Sequence, residues 1–151
     1  MTLANRTGSD SRCCIESGAP YEWIHAEDPT HVQMVEVEEW LAGLNAFSRA
    51  HEEGEIDELF EAASEGKLED TGDNHTKIKP VTHKPEIYEL RLKSGLKRPY
   101  TYLRFYHSEP AVRPKNLIAL HRHIKSSGDA QTDGLAQAIS IHELGESINW
   151  A

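Results

Sequence analysis

The fold of this 151-residue chain is decided by residues 85–127, which read PEIYELRLKSGLKRPYTYLRFYHSEPAVRPKNLIALHRHIKSS. Three runs within this stretch alternate between two kinds of side chain, which is the pattern of β-strands with two different faces. The runs span 87–93, 100–107 and 117–125. Ser94 and Gly95 form a turn signal after the first run, and a proline-bracketed loop at 108–114 follows the second. The stretch therefore predicts a small antiparallel sheet.

The two faces of these predicted strands differ in chemistry. One face is mostly apolar, and we expect helices to cover it while solvent reaches the other, as in many antiparallel sheets. The apolar face holds Leu90, Leu103, Phe105, Ile118 and Leu120, and the polar face holds Arg91, Lys93, Tyr102, Arg104, Tyr106, His121, His123 and Lys125. A one-residue bulge in the third run would place Arg122 on the polar face instead.

The remainder of the chain predicts helices packed on this sheet. Residues 1–19 are small and polar and predict a flexible N-terminal extension before a single domain at 20–151. A short first strand is expected at 21–26 and another at 76–80. Apolar spacings of three and four predict two helices between these strands, separated at Gly54. A final helix is predicted from Thr132 or Asp133 onwards.

This order of elements predicts an α+β fold: a small, twisted, antiparallel-dominated sheet with two N-terminal helices on one face and a C-terminal helix.

Positive charge is concentrated on the predicted sheet. The chain has a formal net charge of −9, yet residues 77–125 contain twelve Lys or Arg and only three Glu. Such asymmetry is typical of a chain with a localised binding surface. No apolar run approaches the roughly 20 residues of a membrane span, and the N-terminus lacks the apolar middle of a secretory signal. We therefore expect a cytoplasmic protein with no membrane partner, whose Cys13 and Cys14 stay reduced.

The polar face contains groups suited to RNA. Arg91 and Arg104 would repel each other unless an anion bridges them, and planar guanidinium groups match phosphate oxygens. Lys125 would add a third cation. Pairing of either arginine with a nearby acid, such as Glu89, is the structural alternative.

Aromatic and imidazole groups extend this chemistry. Tyr102 or Tyr106 can stack on an unpaired base. His121 or His123 can transfer a proton near neutral pH. Cross-strand packing of these rings is the alternative. A metal hydrolase that uses these histidines and His107 is a further hypothesis, but their spacing matches no metal signature, and we expect no cofactor.

The motifs of this region resemble the phage-derived HigB-like branch of the RelE toxin superfamily over residues 85–140, and more loosely back to Tyr21. The similar segments are Tyr88-Glu89-Leu90-Arg91, Leu103-Arg104-Phe105-Tyr106, the strand LIALHRHIK at 117–125, and a polar turn before a helix with Ala138. The resemblance implies a RelE-like fold and a toxin of a type II toxin–antitoxin pair.

Such toxins are ribosome-dependent mRNA endonucleases in which the 2′-hydroxyl attacks the adjacent phosphate without a metal. The implied partners are mRNA in the ribosomal decoding site and a cognate helix-turn-helix antitoxin. The implied catalytic residues are Arg91, Arg104, His121, His123 and Lys125, with RNA contacts from Lys93, Tyr102, Tyr106 and Arg122. The alternative is a non-catalytic RelE-fold protein that binds a protein or RNA partner. The acidic net charge favours that alternative, as does Lys125-Ser126 where the family often has two lysines.

Overall fold

The structure, a computed structural model, describes residues 6–95, 98–126 and 128–151. Its centre is a five-stranded sheet in the order β1-β5-β4-β3-β2. The strands are β1 Glu22–His25, β2 Ile78–Pro80, β3 Ile87–Ser94, β4 Thr101–Ser108 and β5 Asn116–Ile124. β1 runs parallel to β5, and the other three pairings are antiparallel. The α+β class is thereby confirmed, with a mixed sheet.

Within the described residues, three α-helices complete the fold. They are α1 Val32–Ala42, α2 Ala46–Ser64 and α3 Gly128–Ser147. The predicted helix boundary at Gly54 is wrong, because α1 ends at Ala42 with Gly43 as its C-cap, and the side chain of Asn45 accepts the Ser48 N–H at 2.9 Å to begin α2. A Cβ at Gly54 would meet nothing within 4 Å, so this glycine lies within α2 without a packing role.

The sheet is covered on both faces. Helices α1 and α2 pack over one core, and α3 packs over the other. The first core includes Leu90, Leu92, Leu103, Phe105 and Leu117, and the second includes Ile87, Tyr106, Ile118, Leu120 and Ala138. The expectation of a fully solvent-exposed polar face is therefore wrong, because α3 buries the part of that face nearest to β5.

A β-bulge sets the register between β4 and β5. Tyr106 pairs with His121, but the next residue, His107, pairs with Ala119, so Leu120 is the extra residue. Ile118 and Leu120 consequently belong to the second core and not to the predicted apolar face of β3 and β4.

The N-terminal segment differs from the expected flexible extension. Residues 6–19 contain short 3₁₀ turns at Gly8–Asp10, Arg12–Cys14 and Glu16–Gly18, and the side chains of Ser11 and Cys13 are inaccessible to solvent. The Arg12 guanidinium donates hydrogen bonds of 2.7–2.9 Å to the carbonyl oxygens of Pro110, Arg113 and Asn116. These contacts tie the segment to the β4–β5 loop. Residues 1–5 of the predicted extension, residues 96–97 between β3 and β4, and Ser127 of the turn before α3 lie outside the described residues.

Within the described ranges, no helix combines the length and apolar character needed to cross a membrane.

Candidate functional site

All the predicted site residues except Arg122 form three rows across β3, β4 and the end of β5, and Glu89 joins one of these rows. Cross-strand partners share a face of the sheet, and exposure decreases from the first row to the third. We name them the outer row (Lys93, Tyr102, Lys125), the middle row (Arg91, Arg104, His123) and the inner row (Glu89, Tyr106, His121).

The middle row brings the two arginines together. Arg91 and Arg104 are direct cross-strand partners, as the sequence predicted. Both face one carboxylate oxygen of Glu89, whose Oε1 lies 2.8 Å from Arg104 Nε and 3.6 Å from Arg91 Nε. Burial and the neighbouring Arg91 lower the pKa of Arg104, and Glu89 opposes them most strongly, with smaller opposing effects from Tyr106 and Tyr102. One carboxylate oxygen thus faces two guanidinium groups, so this trio of side chains carries one positive charge in excess.

A cavity of about 330 Å³ adjoins this arginine pair at the edge of β3. Its volume lies near the lower end of the range for small-ligand sites. Arg91, Arg104 and Tyr102 line it together with His75 and Lys77 of the loop before β2, and Glu55 of α2 adds an acidic side chain to the same lining. Neither His75 nor Lys77 is among the predicted site residues, because the turn-rich residues 69–79 have no periodicity that assigns their side chains to a face of the sheet.

The outer row is available to a partner. Tyr102 is 42% exposed, and Lys93 and Lys125 are exposed as well. The Lys93 ammonium lies 4.0 Å from the ring centroid of Tyr100, and the Lys125 N–H donates to the Tyr102 carbonyl at 2.8 Å. Two lysines around an exposed tyrosine match a single-stranded nucleic acid, which offers phosphates and base faces.

Tyr106 and His123 are buried against each other. Tyr106 is 2% exposed, and its ring lies parallel to that of His123 at a centroid distance of 5.7 Å. His123 Nδ1 faces the Ile124 carbonyl at 3.2 Å, so Nδ1 carries the proton and Nε2 accepts from the Tyr106 hydroxyl at 3.2 Å. Burial lowers the pKa of His123 and raises that of Tyr106. The predicted exposure of both rings is wrong, and Tyr106 cannot stack on a base in this conformation.

His121 is likewise enclosed. Its Nε2 donates to Gln33 Oε1 at 2.7 Å, while Nδ1 has no hydrogen-bond partner. Burial lowers the pKa of His121 to about 3, with further lowering from His31, His123 and Arg122. The ring is therefore neutral at physiological pH, which does not suit a proton-transfer role there.

This environment makes stability depend on pH. Because the folded-state pKa of His121 lies below the ordinary value of about 6.5, its stabilising contribution is complete above that pH and is lost as the pH falls towards 3. We expect the free energy of unfolding of the wild type to fall, relative to that of His121→Gln, by about 1 kcal/mol per pH unit between roughly pH 6 and 4. Denaturant titrations of both proteins at several pH values measure this difference.

Glutamine is a suitable control because it does not titrate and its amide can still donate to Gln33. An identical pH dependence in the two proteins, or an NMR titration of the His121 ring between pH 6 and 7, would contradict the assignment.

Arg122 lies on the opposite face from the arginine pair. Its Nη2 donates to Glu27 at 3.1 Å, and its guanidinium lies 5.2 Å from the ring centroid of Phe105 and 5.6 Å from that of Phe60. These contacts attach β5 to α2 and to the β1–α1 loop. The structure therefore separates Arg122 from the other residues predicted to contact RNA.

Two groups of potential metal ligands occur within the described ranges, and neither contains His121 or His123. They are Cys13, His107 and Glu109, which are buried, and Glu86, His142 and Glu146, which extend to the surface.

The chain was compared with protein-family models, with curated proteins and with solved structures, and none of the three comparisons gave a match. The resemblance to the RelE superfamily therefore depends on the sequence motifs alone.

Proposed function

We propose that this protein is a toxin of a type II toxin–antitoxin pair that cleaves translated mRNA in the ribosomal decoding site. One observation carries the proposal: Arg91 and Arg104 share the single carboxylate of Glu89 beside a cavity and an exposed row of two lysines and a tyrosine. This arrangement has a positive charge in excess and room for a phosphate. The sequence motifs of the HigB-like branch provide separate support.

In the proposed reaction, the 2′-hydroxyl oxygen attacks the adjacent phosphorus and the bond to the 5′ oxygen breaks. Negative charge increases on the non-bridging oxygens, and preformed cations at that position lower the barrier. Arg91 and Arg104 hold these oxygens, and Lys93 and Lys125 bind flanking phosphates. Tyr102 stacks on a base.

The proposed role of the buried His121 and His123 differs from the proton transfer that was predicted for them. His121 and His123 are neutral and enclosed, so in this proposal they position the middle row and do not exchange protons with RNA. The 2′-hydroxyl proton passes to solvent, and solvent supplies the proton that the leaving 5′ oxygen takes up. A basic site of this kind is also the surface that a cognate helix-turn-helix antitoxin would neutralise in the cytoplasm.

A second candidate function is RNA or protein binding without catalysis. The burial of both histidines favours it, because it removes the only imidazoles of the three rows from solvent. Under this hypothesis the cationic rows bind RNA and leave it intact.

Controlled expression distinguishes the two functions. We expect the wild type to arrest bacterial growth and to cut translated messages, and the double variant Lys93→Ala/Lys125→Ala to reduce the cleavage rate by about tenfold, since each exposed phosphate contact adds modest affinity. Primer extension on a reporter mRNA measures the cleavage.

The matched control is Arg49→Ala/Lys67→Ala, which also removes two positive charges but only from exposed ion pairs on and after α2. This control should behave as the wild type does. Intact mRNA and normal growth at high wild-type expression would refute the nuclease proposal, and retained RNA binding in that case would support the second candidate.

A further inference from the structure

A buried cluster of three chemically different side chains lies on the opposite face of the sheet from the arginine pair. His107 is near the end of β4, Glu109 follows two residues later, and Cys13 comes from the second 3₁₀ turn. Their exposures are 1%, 8% and 0%. The cluster joins the N-terminal segment to the central sheet.

The three ligand atoms converge on one point. His107 Nε2 lies 2.7 Å from Glu109 Oε2 and 3.5 Å from Cys13 Sγ, and the sulfur lies 3.8 Å from the same carboxylate oxygen. In a nucleophilic Cys–His–acid arrangement the acid orients one ring nitrogen while the thiol faces the other. Here both groups face Nε2, and Nδ1 has no hydrogen-bond partner. Together with the burial, this geometry argues against a catalytic cysteine.

Convergence of thiolate, imidazole and carboxylate is the arrangement of a zinc-type site. Typical bond lengths of about 2.3 Å to sulfur and 2.0–2.2 Å to nitrogen or oxygen place tetrahedral ligand atoms about 3.3–3.6 Å apart. The two separations that involve sulfur already match this range to within a few tenths of an ångström. Only the hydrogen-bonded pair of His107 and Glu109 has to separate, by about 0.6 Å, to admit an ion.

Surrounding groups hold the carboxylate in place. The Ser11 hydroxyl donates to Glu109 Oε2, and the Arg12 N–H donates to Glu109 Oε1 at 2.8 Å. The Ser11 oxygen also accepts the Cys13 N–H at 3.0 Å. Outer hydrogen bonds of this kind orient metal ligands. The Ser11 hydroxyl, which contacts both Glu109 and the Cys13 backbone, offers an oxygen for a fourth ligand.

We propose that Cys13, His107 and Glu109 bind one divalent ion of the zinc type, which fastens the N-terminal segment to the sheet. On binding, the Cys13 thiol releases its proton to solvent, and neutral His107 binds through Nε2 with its proton on Nδ1. A thiolate and a carboxylate then balance the two charges of the ion. The site is structural, because all its ligands are enclosed, and it does not depend on the proposed nuclease function.

Cobalt binding tests the proposal, because a thiolate ligand gives Co²⁺ a charge-transfer band in the near ultraviolet. Purified, reduced full-length protein should bind one Co²⁺ per chain with this band, and Zn²⁺ should displace it. Cys13→Ser should lose the band and weaken Zn²⁺ binding by more than about 100-fold, since loss of a residue that merely orients a ligand already costs about 10–100-fold.

Cys14→Ser is the matched control. It changes the same residue type one position later, where the thiol faces the Gly8 carbonyl and not the cluster, so the band should persist. Zn²⁺ should also raise the melting temperature of the wild type and of Cys14→Ser but not of Cys13→Ser. Circular dichroism of each apo protein checks folding. If Cys13→Ser does not fold, Glu109→Gln provides the second test and should weaken binding while keeping the thiolate band.

The proposal is wrong if the wild type gives no cobalt–thiolate band, binds well below one ion per chain, or loses the band in Cys14→Ser rather than in Cys13→Ser.

Discussion

Replacing Arg91 with alanine should relieve the growth arrest and lower the rate of mRNA cleavage by about 100-fold, the usual effect of removing one group that stabilises transition-state charge. Arg104 lies 2.8 Å from Glu89 and can retain that ion pair alone, so the fold should survive the change. Cleavage by purified protein on programmed ribosomes measures the rate. Arg104→Ala should also relieve the arrest, with a larger cost in stability because its side chain is only 8% exposed.

Arg122→Ala is the matched control for this experiment. Arg91 and Arg122 have the same side-chain exposure, 17%, and each lies within 4 Å of a glutamate, but they lie on opposite faces of the sheet. Loss of Arg122 should lower the melting temperature while the folded fraction keeps its cleavage activity. Equal losses of activity in the two variants, or full activity in Arg91→Ala, would contradict the assignment of the site to the arginine face.

Replacing Gly134 with alanine should destabilise the protein by about 1–3 kcal/mol, the usual cost of overpacking a core. Gly134 is the point where α3 crosses His123, and a Cβ at this position would overlap the imidazole ring, at 2.7 Å from Nε2. Alanine normally stabilises a helix relative to glycine by up to about 1 kcal/mol, so the steric overlap has to exceed that gain. Thermal or denaturant unfolding measures the net effect.

Gly54 provides a control, because the same substitution there should raise the free energy of unfolding and not lower it. It lies inside α2, where an added Cβ meets nothing, so Gly54→Ala should stabilise the protein by about 0.5–1 kcal/mol. In the double variant Gly134→Ala/His123→Ser, the cost of the alanine should shrink because the overlapping ring is gone. A stabilising effect of Gly134→Ala would mean that α3 does not rest on His123 as the structure has it.

The arginine pair could be predicted because it depends on local pattern. Alternation assigned Arg91 and Arg104 to one face of neighbouring strands, and a hairpin then brings them together whatever packs outside it. The position of Glu89 on the same face followed from the same alternation. The residues of the middle and inner rows, and the face on which they lie, could therefore be predicted from the sequence.

The solvent exposure of the tyrosine and the histidines in these rows could not be predicted. Tyr106, His121 and His123 were expected to face solvent because they alternate with apolar residues, yet tyrosine and histidine can be buried when most of their polar atoms form hydrogen bonds. These hydrogen bonds join separate parts of the chain. His121 bonds to Gln33 on α1, 88 residues away, and Tyr106 bonds to His123 on the neighbouring strand, 17 residues away.

The packing of the N-terminal segment on the sheet could not be predicted either. Its residues are small and polar and have no periodicity, which indicated a loose extension. In the structure, Arg12 and Ser11 bond to groups about 100 residues away, and no local pattern encodes contacts at that separation.

The sequence by itself determined the α+β class, the three central strands, the faces of β3 and β4 and the concentration of positive charge, because each follows from short-range alternation and composition. Only the tertiary structure decided three other features. These are the bulge at Leu120, the burial of His123 beneath α3 and of His121 against Gln33 of α1, and the meeting of Cys13 with His107 and Glu109. Each depends on which distant surfaces fit together, and packing complementarity between elements leaves no signal in the spacing of residues along the chain.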